Sequence, residues 1–305
     1  MASAVTFHDV SKRFGRFTAL DRVGLTVEEN TICGLLGRNG AGKTTAMQIL
    51  TGQITASSGQ VHVFGADPYE NEELLTRVCF VTESQRYPDG YRVRHVLRAA
   101  SWLYPNWDGD YVGSLLEDFG LPLNCPVKKL SRGMRSWLGV VVGLAARAPL
   151  TVFDEPYLGL DAVARQLFYD RLLADYVAHP RTVLLSTHLI DEVSDLVEQV
   201  VLLDSGQVLI DEAADTLRRR AVTVTGSAAA VEEFTRGHVR LHSEQVGSLA
   251  RVTVEALGEA EHAGARALGL NLESVSLQQL MVRTTARRAT PASAVGADAT
   301  TKETR

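Results

Sequence analysis

The sequence predicts an α/β fold followed by a small α+β appendage, and three observations carry that reading. Gly37-Arg38-Asn39-Gly40-Ala41-Gly42-Lys43-Thr44 is a full match to G-x-x-x-x-G-K-S/T, set between a short apolar run at 31–36 and a helical pattern at 44–51 that Gly52 closes. A second apolar run, 150–153, ends in the adjacent carboxylates Asp154 and Glu155, and a third, 182–187, ends at His188. Beyond about residue 215 the pattern changes to short strands with brief helical pieces between them.

The glycine-rich stretch has a direct chemical reading. Phosphates need a concave row of backbone N–H donors, and glycines keep such a loop bare and tightly turned. Lys43 then reaches the β- and γ-phosphates as a point charge, and the Thr44 hydroxyl suits Mg²⁺. A strand in front and a helix N-terminus behind complete an anion site. The stretch implies a bound nucleoside triphosphate. Adjacent acids at the end of a strand, in a chain with a phosphate loop, are placed for metal and water chemistry.

In chain order, residues 5–10 and 24–28 read as strands flanking Lys12-Arg13-Phe14-Gly15-Arg16. An aromatic upstream of the phosphate loop can stack on a purine base, although Phe14 and Phe17 taken alone also suit a core. Residues 61–64 and 77–82 are further strands, the second ending at Glu83. A helical region spans about 92–147, interrupted at Pro105, Gly109, Pro122 and Pro126. Within it Leu130-Ser131-Arg132-Gly133-Met134 opens a long helix with Ser131 as N-cap, which by itself is an ordinary helix start. Gly159-Leu160-Asp161 leads into another helix. Residues 200–203 and 207–210 form a hairpin turning at Ser205-Gly206. In the appendage, 221–225, 251–256 and 271–275 read as strands, with helices near 231–234 and 261–268. Residues 285–305 lack periodicity and are expected to be a disordered tail.

Composition narrows the function classes. A hydrophobic content of 45% with 22% charged residues fits a globular protein with an ample core. The net charge of -5 gives no general reason to expect nucleic acid. Cys33, Cys79 and Cys125 are odd in number and lack C-x-x-C spacing, which argues against a disulfide framework or a zinc site. The first residues show no basic and apolar pattern of a secretory signal. The longest apolar run, 137–146, is too short for a bilayer and is closed by Arg147. Any transport role therefore calls for another polypeptide.

Taken together, these residues resemble the ATP-binding subunit of an ABC transporter over about residues 5–215. Gly37 to Thr45 matches the phosphate loop of that family, and Phe14 stands where its base-stacking aromatic belongs. Glu83 falls at the Q-loop, Leu130 to Met134 at the signature, Asp154-Glu155 at the second acidic motif, Asp161 at the D-loop and His188 at the switch histidine. The resemblance implies a P-loop NTPase (RecA-like) core with an ABC helical subdomain, the whole domain spanning 4–215 and the subdomain about 92–147. An accessory α+β domain would then cover 216–284. It implies ATP and Mg²⁺ as ligands: Gly37, Arg38, Asn39, Gly40, Ala41, Gly42, Lys43, Thr44 and Thr45 on the phosphates, with Thr44, Asp154 and Glu83 toward the metal. Glu155 would polarise the attacking water, and His188 would hold the γ-phosphate. Ser131 and Gly133 would complete the site of a second ATP-binding subunit, the same or different, and Asp161 of the D-loop would belong to the nucleotide-binding residues. The remaining partner implied is a polytopic membrane permease, which would seat the chain on the cytoplasmic face of the cell membrane.

Two departures from the family pattern stand out. The signature reads Leu-Ser-Arg-Gly-Met where Leu-Ser-Gly-Gly-Gln is usual, and Glu83 replaces an amide, with Gln85 nearby. Neither removes a catalytic group, so an active ATPase is expected. Arg132-Gly133-Met134 and the stretch Val275-Ser276-Leu277-Gln278-Gln279-Leu280-Met281 are both similar to ATPases that serve ABC-2 type exporters, which favours export of a drug, lipid or peptide. The competing class, a non-transport ABC ATPase of translation or DNA repair, usually carries paired cassettes, a coiled-coil insertion or a strongly basic extension, and this sequence has none of these.

Overall fold

The phosphate-loop strand sits near the middle of the main sheet, and the rest of the fold is built around it. The computed structural model describes residues 2–82 and 85–280. Glu83, Met281 and the tail at 285–305 lie outside them. The chain divides into two units, Met1–Asp215 and Thr216–Arg305.

In the first unit the order is β1 (Ser3–Phe14), β2 (Phe17–Glu28), β3 (Ile32–Leu36), α1 (Lys43–Leu50), β4 (Ser58–Val63), α2 (Glu72–Leu75) and β5 (Val78–Thr82). The helical region follows with α3 (Val93–Leu103), α4 (Gly109–Asp118), a short 3-10 turn at Val127–Lys129 and α5 (Arg132–Ala145). Then come β6 (Leu150–Asp154), α6 (Ala162–Ala178), β7 (Thr182–Thr187), α7 (Ile190–Val193), β8 (Gln199–Asp204) and β9 (Gln207–Ala213). The six-stranded sheet runs β5-β6-β7-β3-β8-β9. Every pairing is parallel except β8 with β9, the hairpin expected from Ser205-Gly206. All five residues of β3 are buried, as a strand covered on both faces demands. A three-stranded antiparallel sheet, β2-β1-β4, supplies Val5, Phe7, Leu20, Val23 and Leu25 to the core that also holds Met47, Leu50, Leu35 and Val152. Strand β2 starts at Phe17, well ahead of the expected 24–28, because it pairs with the whole of β1.

The helical region keeps α5 close to the sheet through two glycines. A Cβ at Gly139 would lie 2.9 Å from Val81, and one at Gly143 would lie 2.5 Å from the Phe153 ring, so any larger residue would push the helix off β5 and β6. Phe119 stacks on Trp137 with centroids 3.7 Å apart, joining the end of α4 to α5.

The second unit follows a helix at the join, α8 (Ala214–Arg219), and comprises β10 (Ala221–Ser227), α9 (Ala228–Phe234), β11 (Arg240–Val246), β12 (Leu249–Glu255), α10 (Glu259–Ala267) and β13 (Asn271–Ser274). Its antiparallel sheet runs β11-β12-β10-β13, the β-α-β-β-α-β order of ferredoxin-like domains. Val224, Val252 and Val254 form its core with Val231 and Ala265 of the two helices. The sequence gives no sign of β11, since Arg240–Val246 is polar and almost wholly exposed and is a strand only through its pairing with β12.

Candidate active site

The phosphate loop leaves β3 and enters α1 at Gly42, which caps the helix at φ 108. A Cβ there would come within 2.7 Å of the Ala19 carbonyl and of Leu20, so strand β2 packs against the loop only because the residue is glycine. Lys43 begins the helix and is buried at 6% exposure. Its ammonium donates to the Gly37 carbonyl at 2.7 Å and to that of Arg38 at 3.4 Å, and faces Glu155 Oε1 at 3.5 Å. The lysine is thus folded under its own loop.

Strands β6 and β7 bring the acids and the histidine to the same end of the sheet. Parallel register sets Asp154 opposite Ser186. Asp154 accepts from Ser186 Oγ and from Thr44 Oγ1, each at 2.8 Å, and is itself buried. Glu155 takes φ 46, a left-handed conformation that costs a residue with a side chain some strain. Its N–H donates to the Ser186 carbonyl at 3.3 Å, and its Oε2 lies 3.2 Å from His188 Nδ1. One carboxylate therefore bridges the lysine of α1 and the histidine after β7.

These groups open onto a cleft of about 480 Å³ lined by Arg38 to Thr45, Asp154 and Glu155, with Phe17, Ala19, Thr82 and Leu158. A second cavity, about 490 Å³, lies against the same loop and is lined by Arg38 to Ala41, His188, Asp204 and Ser205. Gly37 lies beneath the loop as the acceptor for Lys43. Phe14 does not line the cleft: it pairs with Phe17 across the β1–β2 turn, with the Lys12 ammonium 5.1 Å from its ring centroid. Ser131, Gly133 and Asp161 lie outside both cavities. Ser131 caps α5 by accepting from Met134 N at 3.2 Å, and Asp161 caps α6 by accepting from Ala164 N at 2.8 Å. Their segments meet where Ser136 Oγ donates to the Leu158 carbonyl at 2.6 Å. Glu83 is outside the described residues.

Sequence reasoning missed Phe17, Ser186, Thr187 and Tyr157. Tyr157 is 2% exposed, and its hydroxyl lies 2.7 Å from Thr187 Oγ1 and 3.4 Å from His188 Nδ1. Burial pushes its pKa up to about 12, so it stays a neutral hydroxyl at any physiological pH. The signal for Ser186 was available: a hydroxyl near the end of a buried strand needs a partner, and the neighbouring strand ends in a carboxylate.

The residues present suit Mg²⁺. Thr44 and Asp154 are hard oxygen donors 2.8 Å apart, and Mg²⁺ is typically held by one or two such groups plus phosphate and water. Among the described residues no cluster of three or more His, Cys, Asp or Glu is arranged to hold a metal unaided.

Comparison with known proteins agrees with this geometry. Residues 20–158 match the model of the ABC transporter family. The chain is 30% identical to the bacitracin transport ATP-binding protein BcrA of Bacillus licheniformis, over 72% of this chain and 73% of that protein. It is 24% identical to the ABC transporter ATP-binding protein YtrB of Bacillus subtilis, over 72% of this chain and 75% of that one. Among solved structures, an ATP-binding subunit of an ABC transporter superposes with a TM-score of 0.67 at 21% identity, covering 93% of this chain and all of the other. The fold, the cleft and the extent of these matches lead to one conclusion: this chain belongs to the ATP-binding proteins of the ABC transporter family.

Proposed function

We propose that this ATPase, a subunit that powers an ABC membrane transporter, works as a dimer on a separate permease and drives export. Among the described residues no helix is long and apolar enough to cross a membrane, which is consistent with a peripheral seat at the cytoplasmic face. The observation that carries the catalytic reading is the position of Glu155 between Lys43, at 3.5 Å, and His188, at 3.2 Å, at the cleft. Lys43 and the loop N–H groups hold the phosphates. Thr44 and Asp154 would hold Mg²⁺, which would supply neutralisation of phosphate charge. Glu155 orients and polarises the attacking water, and His188 donates to the γ-phosphate.

Ser131 and Gly133, at the N-terminus of α5, complete the nucleotide site of the second subunit, and Asp161 supports that contact from the neighbouring helix start. The hydrogen bond from Ser136 to Leu158 supports this pairing, because it ties the two segments to each other. Export is supported by the Arg132-Gly133-Met134 signature and the 275–281 stretch. BcrA is named for bacitracin transport, and a peptide or lipid-like cargo is the corresponding proposal here.

Glu155→Gln tests the assembly. It keeps size and hydrogen bonding but loses the charge, so ATP binds and turnover falls by at least about 100-fold. Light scattering with ATP and Mg²⁺ is expected to show a dimer that dissociates when Mg²⁺ is chelated. A variant that stays monomeric and still hydrolyses ATP overturns the reading.

A further inference from the structure

We propose that Tyr157 is a positioning residue for His188, competing with Glu155 for the ring nitrogen Nδ1 and so fixing which nitrogen of the histidine faces the nucleotide as a donor. The inference rests on the catalytic reading above and deepens it. Nδ1 has two candidate partners, Glu155 Oε2 at 3.2 Å and the Tyr157 hydroxyl at 3.4 Å. They make opposite demands. An ionised carboxylate only accepts, so a bond to Glu155 requires hydrogen on Nδ1. A tyrosine hydroxyl can donate, and a bond from it requires Nδ1 to be bare, which puts the hydrogen on Nε2.

The surroundings of Tyr157 allow both states. Its oxygen accepts from the His188 backbone N–H at 3.3 Å, so the chain around the histidine is anchored to it in either case. Its hydrogen has a second place to go, because Thr187 Oγ1 is 2.7 Å away and either hydroxyl of that pair can donate. Thr187 Oγ1 in turn accepts from Leu189 N at 2.8 Å, which holds it in place. When Tyr157 donates to Thr187, Nδ1–H donates to Glu155. When Thr187 donates to Tyr157, Tyr157 donates to Nδ1, the imidazole hydrogen moves to Nε2, and Glu155 loses its histidine contact. No proton is gained or lost overall.

The consequence is a coupling between two catalytic groups. The second state supplies an Nε2–H donor toward the cavity that His188 lines and at the same time releases the Glu155 carboxylate for water. The first state holds both groups on each other. Tyr157 comes from the turn that carries Leu158 and Leu160, where Leu160 N donates to the Tyr157 carbonyl at 2.9 Å, so the tyrosine also ties this pair to the start of α6.

The test is the tautomer of His188. The chain has eight histidines, so ¹⁵N-histidine labelling is combined with His188→Gln to assign the signal. In the wild type the expected form is Nδ1–H without nucleotide and Nε2–H with Mg²⁺ and a non-hydrolysable ATP analogue. Tyr157→Phe keeps the ring and removes only the hydroxyl. With the analogue bound it is expected to retain the Nδ1–H form, with kcat reduced roughly tenfold and KM for ATP changed by less than about twofold. An unchanged tautomer on nucleotide binding in the wild type overturns the proposal without any variant. So does a Tyr157→Phe protein whose tautomer and kcat match the wild type. A wild type that fails to bind the analogue overturns the underlying catalytic reading instead.

Discussion

At the C-terminal ends of β6 and β7 stand Asp154, Glu155, Ser186 and His188, and at the N-terminal ends of the same strands stand Arg147, Asp175 and Arg181. Both groups place charge inside the first unit, yet they are built differently. Asp175, on α6, is 5% exposed and lies 2.7 Å from Arg181 and 3.2 Å from Arg147, while Arg147 also meets Asp108 at 2.7 Å. Two guanidiniums face two carboxylates, with His179 Nδ1 3.6 Å from Asp175 as well. Arg147 Nε and Arg181 Nε are buried without a hydrogen-bond partner among the described residues, and none of these residues lines either cavity against the phosphate loop. At the other end, Glu155 faces a permanent cation, Lys43, whose ammonium is otherwise given to the carbonyls of its own loop. Contacts there are held by single hydroxyls and by a strained glutamate. The lesson is that incomplete pairing alone does not mark a site: a buried charge cluster marks one when it borders a cleft, and marks structure when its charges face one another inside the packing.

The contrast is broken most directly by removing one charge from each end. Lys43→Ala is expected to weaken ATP binding by roughly 100-fold, the loss of about two charge-assisted hydrogen bonds to phosphate. Titration with a fluorescent ATP analogue reads it. Its melting temperature without nucleotide is expected to move less than that of the next variant. An affinity within a few-fold of the wild type would show that the lysine stays folded under its loop in the bound state.

Asp175→Asn acts on the other cluster. It leaves Arg147 and Arg181 without their shared carboxylate and is expected to cost about 3–5 kcal/mol of stability. Calorimetry measures that loss, and ATP turnover well below the melting range is expected to be unchanged. A fall in turnover with no fall in stability would reverse the assignment of the two clusters.

Much of this contrast was written in the sequence at one end and absent from it at the other. The phosphate loop was legible because its chemistry demands particular residues at fixed spacing, and Asp154, Glu155 and His188 because apolar runs end on them. Arg147, Asp175 and Arg181 carry no such mark. They come from a helix end, a helix interior and a strand start, and only the packing of α6 beside β6 and β7 brings them together. Tyr157 reads in sequence as an aromatic between Pro156 and Leu158, and its hydroxyl acquires a role only when β7 places Thr187 and His188 beside it. The second unit was legible as strands and helices but not as a topology, since β11 has no apolar face to announce it.

The smallest expected effect concerns the aromatic pair at the cleft, where sequence and geometry differ. The family pattern points to Phe14 as the base-stacking residue, whereas Phe17 is the ring that lines the cleft. The two residues are backbone partners across the hairpin turn, and both are open to solvent, Phe14 at 50% and Phe17 at 63%. Neither contributes much to the core, so truncation reports on the ligand with little loss of stability. Phe14 already has the Lys12 ammonium near its ring, a contact that a base would have to displace or share. Stacking of a base on an aromatic is worth roughly 1–3 kcal/mol and tolerates different bases. Phe17→Ala is therefore expected to raise the Kd for ATP about tenfold and that for GTP by a similar factor. Phe14→Ala is expected to raise either by less than about threefold, since it acts only by loosening the turn. Isothermal titration of both variants with both nucleotides separates the cases. A larger loss in Phe14→Ala would mean that the hairpin turns over on binding and presents the other ring, which would make the open aromatic pair, rather than one residue of it, the base-recognition element.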